Sequence, residues 1–275
     1  MKKRYMLRNI FKTKYNFHNI VLIVFIGLLA GFLSGLFAVG GGIVIVPALT
    51  VFMKFDQRHA TATSLVAIII TSLCGSIVYG LDGKVSFLSA FFLIIGSVFG
   101  SQIGVYFSHI LPKKIFPWCF TLFVLLVICS SQVWIPLRNV DFNVGFLEAI
   151  CLIFIGVFSG IFSGILGVGG GGIIVPCVQL LLGMGDLMAR GTALLVTLPT
   201  AISGSIANAR YHYTHFTEGI IIGIFATFTV KLGAIIASSI SPFICNILFC
   251  IFLFSACLRM ILKTGILAKN KREKV

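Results

Sequence analysis

GLLAGFLSGLFAVGGGIVIVPAL, residues 27–49, returns as GVFSGIFSGILGVGGGGIIVPCV, residues 156–178, with eleven of twenty-three positions identical and no gap. Gly27, Gly31, Ser34 and Gly35 match Gly156, Gly160, Ser163 and Gly164. A Val-Gly-Gly-Gly run (39–42; 168–171) and a Val-Pro pair (Val46-Pro47; Val175-Pro176) follow in both copies. Apolar helices interrupted at matching places in two halves of a chain point to paired binding elements near the midplane of a membrane.

Working outward, the 275 residues are 59% hydrophobic and 10% charged, too few polar groups to cover a water-soluble globule of that size. Apolar stretches of about 20 residues suit the roughly 30 Å hydrocarbon layer. They fall near 20–39, 60–80, 86–108, 115–135, 145–166, 190–210, 218–240 and 243–262, while two shorter arms, 43–53 and 172–183, follow the glycine runs. The expected fold is an all-α polytopic membrane protein of two homologous repeats, each a Gly-broken helical hairpin followed by three transmembrane helices. Its divisions are a basic tail (1–19), repeat 1 (20–135), a linker (136–144), repeat 2 (145–262) and a second basic tail (263–275).

The net charge of +14 does not imply a nucleic-acid partner, because six of the 21 basic residues lie in the first 14 positions and six at or after Arg259. Basic ends beside apolar spans set topology, and both tails are expected in the cytoplasm. Lys2, Lys3, Arg4 and Arg8 imitate the head of a signal peptide, but the apolar run behind them belongs to the repeat, so no cleavage is expected. Eight cysteines scattered through apolar segments, with no Cys-x-x-Cys spacing, read as packing residues. No metal, cofactor or catalytic centre is expected.

If each hairpin returns to the side it entered, the loops 54–59, 109–114 and 210–215 are cytoplasmic, and 81–84, 136–143 and the Gly185-Asp186 turn are external. Lys54, Arg58, Lys113, Lys114 and Arg210 then lie inside and Lys84, Arg138 and Arg190 outside, following the positive-inside tendency. Such a path inverts the second repeat relative to the first and lets the two glycine tips meet. Ten full spans, or six spans with two re-entrant hairpins, fit these loop sides equally.

Three consecutive glycines weaken a helix by about 1 kcal/mol each relative to Ala, and Pro47 and Pro176 disfavour a continuous helix. Backbone N–H groups freed inside a membrane must find protein, water or an anion, and a helix start adds open donors and partial positive charge. Gly40, Gly41, Gly42, Gly169, Gly170 and Gly171 are therefore the expected anion cradle, with Pro47 and Pro176 as hairpin or hinge positions. The four-residue spacing of Gly27-Gly31-Gly35, Gly156-Gly160-Gly164 and Gly96-Gly100-Gly104 is assigned to close helix packing.

Two motifs are set aside. Gly167-Val-Gly-Gly-Gly-Gly172 satisfies a dinucleotide pattern but follows an apolar helix rather than a strand. Gly183-Met-Gly-Asp186 matches an intramembrane aspartyl protease signature but has no second aspartate on a facing helix.

Lys231 stands thirteen residues past Glu218 within an apolar run, where a central lysine costs about 2.5–3.5 kcal/mol and therefore faces a cavity, a counter-charge or a substrate path. The bland readings are a stem reaching the interface or a pair with Glu148 or Glu218. Its counterpart at the 129-residue offset is Gln102. Thr63 matches Thr192, Thr71 matches Thr200 and Gly75-Ser76 matches Gly204-Ser205. Thr63, Thr192 and Ser205 are candidates to reach the pathway, set against hydroxyls that serve only helix packing. His59, His109 and His215 read as solvated loop or helix-end residues.

The paired hairpins, each followed by Ala-x-x-Thr (60–63; 189–192) and then Gly-Ser, resemble the TauE/SafE family of membrane permeases over about residues 20–262. Gly40, Gly41, Gly42, Pro47, Thr63, Gly169, Gly170, Gly171, Pro176 and Thr192 carry the pattern. The resemblance implies a permease for sulfite, sulfoacetate or other small sulfur-containing or organic anions in the bacterial inner membrane. The expectation is alternating access around a midplane anion site, with Lys231 supplying charge and the bilayer and substrate as partners. The rival is a structural or assembly membrane protein.

Overall fold

Leu-, Ile- and Phe-rich sequence stays helical until a glycine run or a polar loop stops it. The computed structural model describes residues 17–112 and 145–252, with 118, 121, 122, 125, 254 and 255, and among these there is no strand. The first hairpin pairs α1 (Phe17–Phe37) with the short α2 (Gly42–Val51). After it come α3 (Gln57–Leu81) and α4 (Phe87–Ile110). The second hairpin is α5 (Phe146–Leu166) and α6 (Gly171–Leu182), followed by α7 (Asp186–Arg210), α8 (Phe216–Ser239) and α9 (Pro242–Phe252). The expected span 115–135, the linker 136–144 and both tails lie outside the described residues, apart from isolated positions.

Six of these helices, α1, α3, α4, α5, α7 and α8, are long and apolar enough to cross a membrane. Their outer faces carry large exposed apolar side chains, among them Phe25, Phe99, Phe154 and Phe228, a surface suited to lipid. The short arms α2 and α6 have 10 and 12 residues, about 15 and 18 Å against a layer of roughly 30 Å. Both contain their proline as an interior residue. The breaks fall at the glycines, and each short helix continues through its proline.

Small residues let the long helices close to backbone distance. Gly27, Gly31 and Gly35 of α1 meet the carbonyls of Ile222, Ala226 and Val230 of α8 in ascending order, so these helices run parallel. Gly96, Gly100 and Gly104 of α4 meet Ile153, Val157 and Ile161 of α5 in the same way. At the centre α3 and α7 are antiparallel, with Gly75 against Leu194 and Gly204 against Leu65. Each repeat therefore lays its first described helix on the last described long helix of the other, and each contact has a counterpart 129 residues away. That reciprocity is the mark of a two-fold relation between like surfaces.

The loops gather at two ends. At one, the rings of Phe55 and His215 lie 4.8 Å apart, and Arg58 donates to the carbonyls of His109 and Leu111 at 3.0 Å. The loops 54–59, 109–112 and 210–215 thus share one end. At the other, Gly191 abuts the Lys84 carbonyl beside the exposed Lys84–Asp82 pair. Lys113, Lys114 and Arg138 fall outside the described residues.

Candidate functional site

The two tips repeat one backbone conformation. Ala38, Gly40 and Gly41 have φ of 58°, 72° and 84°, and their counterparts Gly167, Gly169 and Gly170 have 69°, 86° and 82°. Three left-handed residues in four cannot belong to an α-helix, so α1 and α5 stop there and α2 and α6 start anew with Gly41 and Gly170 as N-caps. Ala38 carries a side chain in a region that costs an L-residue about 1–2 kcal/mol; in the second tip Gly167 takes its place.

The tips touch. A Cβ on Gly42 would run into the Gly167 carbonyl and lie 2.7 Å from Val168 Cα, and one on Gly171 would meet the Ala38 carbonyl. Ile68 of α3 and Thr197 of α7, themselves counterparts, each abut both Gly40 and Gly169. Val39 and Val168 share one buried cluster with Leu36, Phe37, Leu166 and Phe249. All six triplet glycines are buried. Thr71 donates to the Gly40 carbonyl at 2.8 Å, and Ser64 donates to Gly167 at 2.7 Å.

What the tips leave open is donors. Among the described residues no hydrogen bond is found from the amides of Gly40, Gly41, Gly169 or Gly170. Behind them the third amide of each short helix, that of Val44 or Ile173, already donates to the carbonyl of Gly41 or Gly170 at 3.0 Å. Ser34 and its counterpart Ser163, together with Thr197 and Ser205, have buried hydroxyls without a partner. Buried polar groups are seldom left so, and each such group asks for a water, an ion or a ligand.

The other predicted residues are placed differently. The Thr63 and Thr192 hydroxyls do not point at the tips: Thr63 accepts the His215 amide at 3.2 Å, and Thr192 the Ser86 amide at 3.0 Å. Gln102 is exposed and donates to Ser203, to its hydroxyl at 2.7 Å and its carbonyl at 3.2 Å. Lys231 is exposed on α8, whereas Val230 and Ala234 beside it are buried and pack against Gly35 and Ala38. It lies eight residues, about 12 Å, from the end of α8, so a lysine stem directed that way brings the ammonium toward the interface.

Sequence reasoning missed a buried ionic cluster beside the first tip. Arg190 and Asp186, read as an external loop cation and an acidic turn, are 2% and 0% exposed. Arg190 Nε donates to Asp186 Oδ1 at 2.8 Å with Nη2 in ion-pair contact at 2.8 Å, and Gln179 Nε2 donates to the same oxygen at 3.1 Å. Arg190 Nη1 donates to the Leu36 carbonyl at the end of α1 and contacts Cys245 Sγ at 3.0 Å. Removing Arg190 from the loops at its end of the bundle leaves Lys84 as their cation among the described residues, with Lys54, Arg58 and Arg210 at the other end. The signal was present as an i, i+4 Asp-Arg pair at a helix start.

The histidines are half-buried at the end where these loops converge. His59 contacts His215 at 5.1 Å between ring centroids and shares a hydrogen bond with the Tyr213 carbonyl at 2.9 Å, while His109 packs on Tyr211 at 3.6 Å. Burial holds the His215 imidazole below its ordinary range; buried Glu218 opposes that shift and His59 adds to it.

Comparison with known proteins agrees with this architecture. The chain is 28% identical over 246 residues to the probable membrane transporter protein YunE of Bacillus subtilis, covering 78% of this chain and 88% of that one. A probable membrane transporter protein of Haemophilus influenzae is 27% identical over 271 residues, covering 89% and 98%. The family described as Sulfite exporter TauE/SafE matches residues 4–131 and 152–275, one segment for each repeat. Six apolar spans, two glycine-broken hairpins and this match over nearly the whole length lead to one conclusion: the chain is a membrane transporter that belongs to the TauE/SafE family.

Proposed function

We propose that this transporter moves a small anion, sulfite or another sulfur-containing or organic anion, across the bacterial inner membrane by alternating access about the paired glycine tips. The observation that carries the reading is the set of unbonded amides at Gly40, Gly41, Gly169 and Gly170, presented by two helix starts and accompanied by the unpartnered hydroxyls of Ser34, Ser163 and Thr197. Donors without acceptors, at the positive ends of two short helices, suit a negative solute. Pro47 and Pro176 stiffen the short arms behind them.

The antiparallel α3 and α7 supply the axis about which the repeats rock, with the end that gathers Lys54, Arg58 and Arg210 in the cytoplasm by the positive-inside tendency. Thr63 and Thr192 secure the loops, Ser205 adds a hydroxyl to the central helix, and Gln102 ties α4 to α7. Lys231, on the outer face of α8, acts at the membrane interface rather than at the tips. The test is uptake into proteoliposomes of sulfite, thiosulfate, sulfoacetate, sulfate and acetate. Saturable flux of at least one anion over empty vesicles supports the reading; no flux of any removes it.

A further inference from the structure

The two tips are held unequally. The first is tied by Tyr79, which donates to the Gly35 carbonyl at 2.8 Å, by Thr71 on Gly40, and by Arg190 on Leu36. The second is tied by the neutral Ser64 and, at 3.5 Å, by Thr61, the counterpart of Arg190. The charged cluster therefore has no copy in the first repeat, and a structural clasp alone does not need a charge. A buried ion pair gains little over apolar packing, because desolvation offsets most of its attraction.

The pair is also bonded in a lopsided way. Two hydrogen bonds and an ion-pair contact converge on Asp186 Oδ1, while Oδ2, fully buried, has no partner. Beside Arg190 and Gln179 lies a cavity of about 20 Å³, completed by Phe37, Val175, Pro176, Asn246 and Phe249. That is room for about one water. The Asn246 side chain makes no hydrogen bond among the described residues.

We infer that Asp186 Oδ2 is a proton-binding site that couples proton uptake to anion binding at the neighbouring tips. A proton delivered by water adds to Oδ2, converting carboxylate to carboxylic acid, and neither of the two hydrogen bonds on Oδ1 need break. Arg190 then stands as an uncompensated buried cation against the end of α1, at Leu36, two residues before the tip begins at Ala38. A buried charge without a partner is costly, and an anion at the tips lowers that cost. Proton and anion each raise the other's affinity by the same factor. The titratable or charged groups facing Asp186 are Arg190 on its own helix, Tyr79 on α3 and Cys245 on α9, with Asp82 beyond Tyr79.

The inference rests on the anion-transport reading, and its test separates the two. Purified protein in proteoliposomes, with the membrane potential clamped by potassium and valinomycin, is offered thiosulfate, sulfate and sulfoacetate under an imposed pH gradient, while an internal dye follows protons. The expected result is anion entry accompanied by protons, with apparent anion affinity rising about tenfold for each unit of acidification across the titration. Asp186→Asn, which imitates the protonated acid, carries the anion without protons and with pH-independent affinity. Should that variant fail to fold, the wild-type proton signal decides alone. Anion flux that ignores the pH gradient and moves no protons overturns the coupling and leaves the transport reading standing; absence of any anion flux overturns both.

Discussion

Thr63 Oγ1 accepts the backbone amide of His215 at 3.2 Å, and 129 residues later Thr192 Oγ1 accepts that of Ser86 at 3.0 Å. Each hydroxyl closes the residue before a long helix, α8 in one case and α4 in the other, so each repeat caps an element of its partner. Thr63→Val and Thr192→Val should each lower stability by about 1–2 kcal/mol, the cost of leaving an amide donor without an acceptor. Serine at either position should recover most of it. Thermal melts in detergent check this; a loss at one site only would break the reciprocity.

Much of this is legible in the sequence, and the reason is chemical. Glycine triplets stop helices wherever they occur, so the tips and their pairing follow from residues 39–42 and 168–171. Facing is harder. Lys231 lies deep along an apolar helix, but apolar residues surround α8 on every side and give no sign of which face meets protein. Asp186 and Arg190 next to Gly183 and Gly185 resemble a solvated turn; only the packing of Cys245 and Leu36 over them shows that they are buried. The ring contacts of the histidines are hidden for a related reason, because they depend on which loops converge at that end.

The glycine tips make a second prediction. Gly41→Ala and Gly170→Ala place a side chain in a left-handed conformation and should cost about 1–2 kcal/mol each. Gly42→Ala should do more, since its methyl collides with the backbone of the opposite tip at Gly167 and Val168. Melting temperature should fall in the order wild type, Gly41→Ala, Gly42→Ala. Equal stability of Gly42→Ala and wild type would mean the tips do not touch.

The ion pair gives a third. Arg190→Met leaves Asp186 buried without its cation and should destabilise the protein by about 3–5 kcal/mol. Adding Asp186→Leu to Arg190→Met should restore part of that loss, because a neutral pair carries no desolvation penalty. A double-mutant cycle in denaturant or heat reads the coupling; additive losses would show that the two side chains do not act together.

A fourth concerns pH at the clustered end. With its folded-state affinity for protons lowered by burial, His215 binds protons more readily unfolded than folded. Its contribution to stability is therefore complete above the ordinary histidine value of about 6.5 and is lost as pH falls below it toward the folded value. His215→Gln should flatten the decline of melting temperature between about pH 7 and pH 5. An unchanged slope would assign that decline to other groups.

The central claim is that unbonded glycine amides at the two tips receive the anion. Spectra of protein labelled with nitrogen-15 only at glycine, recorded in nanodiscs during titration with a transported anion, test it most directly. The amide signals of Gly40, Gly41, Gly169 and Gly170 should shift together and saturate at one concentration, while those of the packing glycines Gly27 and Gly156 stay in place. Saturable transport by the same preparation with the four tip amides unmoved would contradict the account.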